Sequence, residues 1–365
     1  MKLNVLIAAG GTGGHISPGV ALVEELNENK EKYKIQNIYI HSLKRNKDNP
    51  DLKDSPAPII WHNIPQFNWK FIFYSLHFLY YLFTTAVYFF FYRINVVIAM
   101  GGYSCLPALI CGLLLGKKIY LCEQNRVLGK VTRKFLRFSD KIAFSFPPIY
   151  LDEKKVKNFK ILGNPLRSKI KPDKNSVELK IKNKEILEKD NINVLVLGGS
   201  QGARQINNIL LQCIEDPQII KNFSFRILTG TNLYEEAKQK SKREVDLISY
   251  SQDMKTHYEW ADLVIARAGA GVISECLAFG LPMILIPYPH AADNHQYENA
   301  KYLEEKHAAI VLYQKDESPI QLTKILLRLS SNKQELLKLS QNAFKISNLS
   351  ATEATAEYFF GNENA

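Results

Sequence analysis

The sequence lacks the cysteine pattern of either a disulfide framework or a zinc site. Its five cysteines, Cys105, Cys111, Cys122, Cys213 and Cys276, form no CxxC pair, and most sit in apolar runs. Unpaired thiols of that kind belong to a buried, reduced core. There is no GKS or GKT, which excludes a Walker phosphate loop. There is no DxD and no His/Asp cluster, so no metal is expected to be essential. No signal peptide is recognisable: the first apolar run, Leu3–Ala9, starts almost at once, ends in glycines and reads as a first strand. Compositional bias is missing too. With 46% hydrophobic and 23% charged residues the chain is of ordinary globular type, and at ~150 residues per domain its 365 residues make two to three domains.

What the chain has in excess is positive charge. A net +11 suits an anionic partner: a nucleotide, a nucleic acid or acidic lipid headgroups. A Lys- and Asn-rich composition produces the same excess without any partner. No basic recognition helix or aromatic RNA platform appears, so nucleic acid is not expected. One stretch challenges a soluble reading. Phe71 to Tyr92 runs 22 residues without a formal charge, long enough to span a bilayer. Yet Lys70, Tyr74, His77, Tyr81, Thr84, Thr85, Tyr88 and Tyr92 recur at steps of three and four, within an arc of roughly 100° on a helix. That stripe predicts a packed crossover helix with one face on a sheet. Its tyrosines also suit contact with a membrane surface.

Short Val/Ile/Leu runs alternate with helical stretches. Six expected strands fall between Leu3 and Ser145 and six more between Asn193 and Leu312. This alternation predicts right-handed βαβ units around parallel sheets covered on both faces. The series restarts after a polar, Lys-rich stretch, and each series opens with a strand followed by a glycine turn. The expected fold is α/β: two Rossmann-like parallel-sheet domains facing across a cleft. Residues 1–163 form the first and 164–339 the second, and a C-terminal helix at about 340–365 packs back on the first. Such sheets bind ligands at the carboxyl ends of their strands.

Three glycine turns carry the chemistry. Gly10-Gly11-Thr12-Gly13-Gly14-His15 opens a helix at Ser17-Pro18, where glycines let backbone N–H groups approach an anion or sugar. It is not the dinucleotide fingerprint, because Ile16 takes the third glycine position and His41 ends the next strand in place of an acid. His15 is a candidate general base with an ordinary imidazole pKa of ~6.5; a lone histidine is also commonly structural. Gly198-Gly199-Ser200-Gln201-Gly202-Ala203 repeats the design, with Ser200 placed to bond a phosphate. Ala266-Arg267-Ala268-Gly269-Ala270-Gly271 is the third turn. Glu275 beyond it is suited to ribose hydroxyls, or simply to stabilising its own helix. Asp293-Asn294-His295-Gln296-Tyr297-Glu298-Asn299 is a polar cluster at a helix start, able to cap it and to read sugar hydroxyls. Glu123-Gln124-Asn125 ends a strand in the first half, and Gly163-Asn164-Pro165-Leu166-Arg167 lies at the expected domain break.

Taken in order, GGTGGH, IAMGGYSCLPA…EQNRVLGKVTRKF, GNPLR, LGGSQGA, RAGAGVISE and DNHQYENA resemble the MurG family of peptidoglycan glycosyltransferases across nearly the whole chain. The resemblance implies the GT-B fold and an inverting transfer of N-acetylglucosamine from UDP-N-acetylglucosamine (UDP-GlcNAc). The acceptor it implies is the 4-hydroxyl of undecaprenyl-diphospho-N-acetylmuramoyl-pentapeptide, lipid I becoming lipid II. It puts Thr12, Gly13, Gly14, His15 and Asn125 on the acceptor and catalytic side, with Thr12, Gly13 and Asn125 also near the donor. Arg167, Ser200 and Gly269 would meet the donor diphosphate, Glu275 the ribose, and His295 and Gln296 the sugar hydroxyls. Ala268 stands where many members have serine, and His295 where some have glutamine. The resemblance implies no required cofactor, closure about Asn164–Arg167, and a peripheral position on the anionic cytoplasmic face of the inner membrane. Partners there would include other cell-wall synthesis and division proteins. A UDP-sugar:diacylglycerol glycolipid synthase and a non-catalytic sugar-nucleotide subunit are the competing readings.

Overall fold

A computed structural model describes residues 2–11, 13–63, 71–156, 158–198, 202–313 and 317–361. Thr12, Lys70 and Ser200 lie outside the described residues. The chain divides into two compact units, Met1–Ser168 with Ser350–Ala365, and Lys169–Leu349.

Unit 1 holds seven strands: β1 (Leu3–Ala8), β2 (Ile35–Leu43), β3 (Ile59–His62), β4 (Val96–Ala99), β5 (Lys118–Glu123), β6 (Lys141–Phe144) and β7 (Phe159–Ile161). They form one parallel sheet in the order β3-β2-β1-β4-β5-β6-β7. The central strands are apolar on both faces because both are covered. Val5 and Ile7 of β1 pack with Val20, Leu22 and Leu26 of the helix Gly13–Glu28. Leu6 and Ala8 point the other way, to Ala108 and Leu109 of the helix Leu106–Leu114. Each such side chain contributes about 1.5–3 kcal/mol by leaving water. β7 escaped the sequence reading because Phe-Lys-Ile is too short and too exposed to leave an apolar run.

Unit 2 repeats the plan with β8 (Ile192–Leu197), β9 (Phe223–Leu228), β10 (Asp246–Ile248), β11 (Leu263–Ala266), β12 (Met283–Leu285) and β13 (Ala309–Val311). Its parallel order is β10-β9-β8-β11-β12-β13. In each sheet the winding direction reverses beside the first strand: between β1 and β4, and between β8 and β11. Loops leaving neighbouring strands diverge there, which opens room at the carboxyl edge.

The helix Ala351–Phe360 belongs to unit 1, whereas Lys333–Ile346 stays in unit 2, so the chain returns later than about 340. The returning helix is fastened at several points. Thr352 Oγ1 accepts from Leu166 N at 3.0 Å and donates to Leu166 O at 2.9 Å. Phe359 stacks on Tyr120 at 4.8 Å, and Lys141 Nζ donates to Tyr358 O at 3.0 Å. Residues 164–168 are therefore part of unit 1, so the boundary falls after Ser168 and not at Gly163. Asn164 is buried and accepts from Ser145 Oγ at 3.3 Å.

The uncharged run forms the helix Phe71–Phe91. The C-terminal part of the stripe, from Tyr81 to Tyr92, turns inward, whereas His77 is exposed. Thr85 and Phe89 are buried, and Tyr81 and Tyr88 set their rings edge-on to His62 of β3. His62 lies 3.9 Å, ring to ring, from the fully buried His41 of β2. Burial, then the charge of Lys44, draws the His62 pKa down to about 4; burial, then His62, lowers that of His41. Both rings are neutral near pH 7 and pack as aromatic bodies against the tyrosines. Leu79, Tyr80, Phe83, Phe90 and Phe91 are left on the outer face, Phe90 with 82% of its surface exposed. Leu113, Leu114 and Leu115, at the end of the neighbouring helix, are exposed too, and Cys111 Sγ donates to Leu82 O at 3.3 Å between the two helices. Among the described residues, no helix is long and apolar enough to cross a membrane.

Candidate functional site

In unit 1 three turns meet at the carboxyl ends of β1, β4 and β5. His15 lies in the first turn of the helix Gly13–Glu28. Its ring lies against Gly101 and Gly102, which follow β4 with φ of 98° and 76°. A Cβ on Gly101 would stand 3.1 Å from both Cδ2 and Nε2 of His15 and 3.7 Å from Gln124 Oε1. Only glycine combines that left-handed backbone with that approach. Among the described residues, nothing stands within 4 Å of where a Cβ on Gly13 would be. Beside it, Glu123 organises the turn that carries Asn125. Its buried carboxylate accepts from Asn125 N at 3.2 Å and from Gly129 N at 2.9 Å. Burial pushes the Glu123 pKa up, and these donors pull against it. The structure thus brings His15, Gly13 and the Gln124–Asn125 turn to one edge of one sheet.

Arg167, to which the resemblance gives the donor diphosphate, lies in a buried ion-pair cluster. Its guanidinium is 3% exposed. Nε and Nη2 donate to Glu24 Oε1 at 2.9 and 2.7 Å, and Nη1 donates to Asp51 Oδ1 at 2.5 Å. Burial opposes the charge, but the two carboxylates outweigh it and raise the arginine pKa. The guanidinium locks Glu24, on the helix after the first glycine turn, to Asp51 in the short helix Pro50–Lys53 that follows β2.

In unit 2 the turns after β8 and β11 lie side by side. Their glycines differ in kind. A Cβ on Gly198 would meet Ala203 N at 2.1 Å, and one on Gly202 would meet Thr229 O at 2.1 Å; these glycines serve the turn's own packing. Gly269 and Gly271 have nothing within 4 Å of a Cβ position. They open the helix Ala270–Ala278, whose N-terminus no side chain caps. The positive end of the helix dipole lies at this turn, which suits an anion. The turn is held from behind. Asn299 Nδ2 donates to Ala268 O at 3.2 Å, and Arg267 donates to Ile286 O at 3.0 Å, Pro287 O at 3.2 Å and Gln205 Oε1 at 3.1 Å. Gln205 and Arg267 both pair with Glu317. Arg267 thereby joins the first turn of the helix after β8 to the loop after β12.

One turn into the Ala270–Ala278 helix, Glu275 Oε2 accepts from Tyr258 at 2.6 Å. Gln296 Oε1 accepts from Tyr288 N at 2.9 Å, and the His295 ring meets Ala292 O through Nδ1 at 2.8 Å. Asp293 and Asn294 are left-handed, with φ of 50° and 59°, and turn the chain into the helix His295–Glu305. Sequence reasoning missed Tyr258, Gln205 and Glu317 as supports of this site. Their partners are 17, 62 and 50 residues away, so no local pattern could mark them. Among the described residues, no group of three or more His, Cys, Asp or Glu side chains is placed to hold a metal ion.

Residues 5–144 match the glycosyltransferase family 28 N-terminal domain, and residues 193–355 match the glycosyltransferase family 28 C-terminal domain. A relative from Leptospira interrogans serogroup Icterohaemorrhagiae serovar copenhageni is 49% identical over 98% of this chain and 99% of its own. It is named UDP-N-acetylglucosamine--N-acetylmuramyl-(pentapeptide) pyrophosphoryl-undecaprenol N-acetylglucosamine transferase. A Thermoanaerobacter protein of the same name is 32% identical over 96% of this chain and 97% of its own. The crystal structure of Acinetobacter baumannii MurG superposes with a TM-score of 0.79 at 24% identity, covering 97% of this chain and 98% of that one, and shows the GT-B fold class. By both domain matches and by full-length identity, the chain belongs to glycosyltransferase family 28.

Proposed function

We propose that this glycosyltransferase moves N-acetylglucosamine from UDP-GlcNAc to the 4-hydroxyl of undecaprenyl-diphospho-N-acetylmuramoyl-pentapeptide. The observation that carries the donor class is the uncapped helix start at Gly269–Gly271. Open glycines, a positive dipole end and a carboxylate one turn further in make a receptor for a diphosphate followed by a ribose. The acceptor rests on the names of the full-length relatives.

Unit 2 takes the donor in this reading. The helix N-terminus and Ser200 hold the diphosphate, Glu275 the ribose hydroxyls, and His295 and Gln296 the sugar. Unit 1 takes the acceptor at Thr12, Gly13, Gly14 and Asn125. The acceptor oxygen bonds to the anomeric carbon as the bond from that carbon to the UDP oxygen breaks, with inversion. The hydroxyl proton passes to His15. The leaving diphosphate gains charge, which the positive helix end stabilises. Arg167 is omitted from the donor set because Glu24 and Asp51 hold it.

The outward aromatic face of Phe71–Phe91, with Leu113–Leu115, docks the enzyme on the membrane that carries its lipid acceptor. An exposed apolar patch of this size marks an interaction surface, and Arg93 and Lys118 lie exposed beside it. Anionic lipid on the cytoplasmic face matches the net charge of +11.

The test is incubation with labelled UDP-GlcNAc and a short-chain lipid I analogue, with UDP release followed in the presence and absence of a chelator. Release that depends on the analogue and resists the chelator supports the assignment. Release with diacylglycerol instead would favour a glycolipid synthase.

A further inference from the structure

Tyr258 is 1% exposed and lies on the helix Met254–Trp260, away from every glycine turn. It touches the donor-site helix twice. Its hydroxyl donates to Glu275 Oε2 at 2.6 Å, and its ring lies 5.3 Å from that of Phe279. Residues 275 and 279 are one turn apart on the same helix face, so the phenol grips that face at both levels. The tyrosine helix is itself anchored. Asp253 caps it by accepting from Thr256 N at 3.2 Å and from Thr256 Oγ1 at 2.5 Å.

We infer that Tyr258 is a positioning residue: by holding Glu275, it sets the enzyme's preference for a donor that carries ribose hydroxyls. The inference rests on the reading of Glu275 as the ribose contact. At 2.6 Å this is a close hydroxyl–carboxyl hydrogen bond. Burial keeps the phenol protonated far above neutral pH, so the donor is present throughout the working range. Each constraint already on the glutamate side chain lowers the ordering cost left for nucleotide binding, and the Tyr258 bond is one such constraint. Tyr258 supplies it in the unliganded protein, behind the site and without occupying the space in front of Gly269 and Gly271.

The experiment measures KM and kcat for UDP-GlcNAc and for its 2′-deoxyribose analogue in four full-length proteins: unaltered enzyme, Tyr258→Phe, Glu275→Gln, and the double variant. Tyr258→Phe keeps the ring against Phe279 and removes one oxygen. It is expected to raise KM for UDP-GlcNAc about tenfold, the usual weight of a hydrogen bond to a charged group, with little change in kcat. Preference for the ribose donor should shrink in both single variants, and the double variant should be no worse than Glu275→Gln. Both donors are read on the same folded molecules, so their ratio is unaffected by any loss of folded protein. Phe279→Leu, which alters packing and leaves the hydrogen bond, should keep the preference. If Glu275→Gln loses the preference while Tyr258→Phe retains it, the positioning role is wrong and the ribose contact stands. If Glu275→Gln retains the preference, the ribose contact itself fails and the inference falls with it.

Discussion

Replacing Arg167 by methionine separates two accounts of one residue. The resemblance to related enzymes gives it to the donor diphosphate; the structure gives it to Glu24 and Asp51. Methionine fills most of the arginine stem and removes the fork. It leaves Glu24 and Asp51, 16% and 22% exposed, without the guanidinium that pairs with both. Breaking a buried pair by removing one partner costs about 3–5 kcal/mol. Both carboxylates keep some water, which puts the expected loss at the lower end, about 3 kcal/mol. In a unit of this size each kcal/mol moves the melting temperature by about 2–4 °C, so a fall of about 6–12 °C is expected for unit 1. Lysine should recover little, because an ammonium cannot bridge both acids with a planar fork. The assay is calorimetric melting alongside titration of UDP-GlcNAc. Melting should drop while donor affinity stays within about twofold, well below the tenfold that 1.4 kcal/mol represents. An unchanged melting temperature with donor binding lost would refute this account and restore Arg167 to the diphosphate.

His15→Ala should lower kcat by about 10²–10⁴-fold, the range for a lost general base, while calorimetric binding of UDP-GlcNAc persists; unchanged turnover would remove His15 from the chemistry. The His41–His62 pair makes unit 1 sensitive to acid. Both imidazoles have folded pKa values below the ordinary ~6.5, His62 at about 4. The stability they permit is therefore complete above pH 6.5 and declines as the pH falls toward 4, by roughly 2–3 kcal/mol for His62. Urea midpoints across that range should show the slope, and His62→Phe should flatten it; equal slopes would contradict the buried-neutral assignment. Phe83→Glu with Phe90→Glu should weaken partition onto anionic vesicles at least tenfold, since two large apolar contacts are lost, while turnover of a soluble acceptor analogue continues. Arg93→Glu should weaken it less, and more so at low salt.

The alternation of apolar strands and helices made the two parallel sheets legible from residue order alone. A strand covered on both faces must be apolar throughout, and the glycine turns mark where each winding begins. The turns after β1, β8 and β11 were legible for the same reason: open backbone at a helix start needs glycine within a few consecutive residues. Tertiary structure decided the rest. Which glycines serve packing (Gly198, Gly202) and which have no described neighbour within 4 Å of a Cβ position (Gly13, Gly269, Gly271) depends on residues such as Thr229 that are remote in sequence. The inward turn of the tyrosine stripe on Phe71–Phe91 depends on two buried imidazoles on β2 and β3, a pairing that periodicity within one helix cannot reveal. Arg167 carries the same lesson. Its motif marks a conspicuous cation, but the charges that claim it, Glu24 and Asp51, lie 143 and 116 residues away. Local periodicity determines what a segment can become, and the long-range partners that folding supplies determine which of its groups remain free to act.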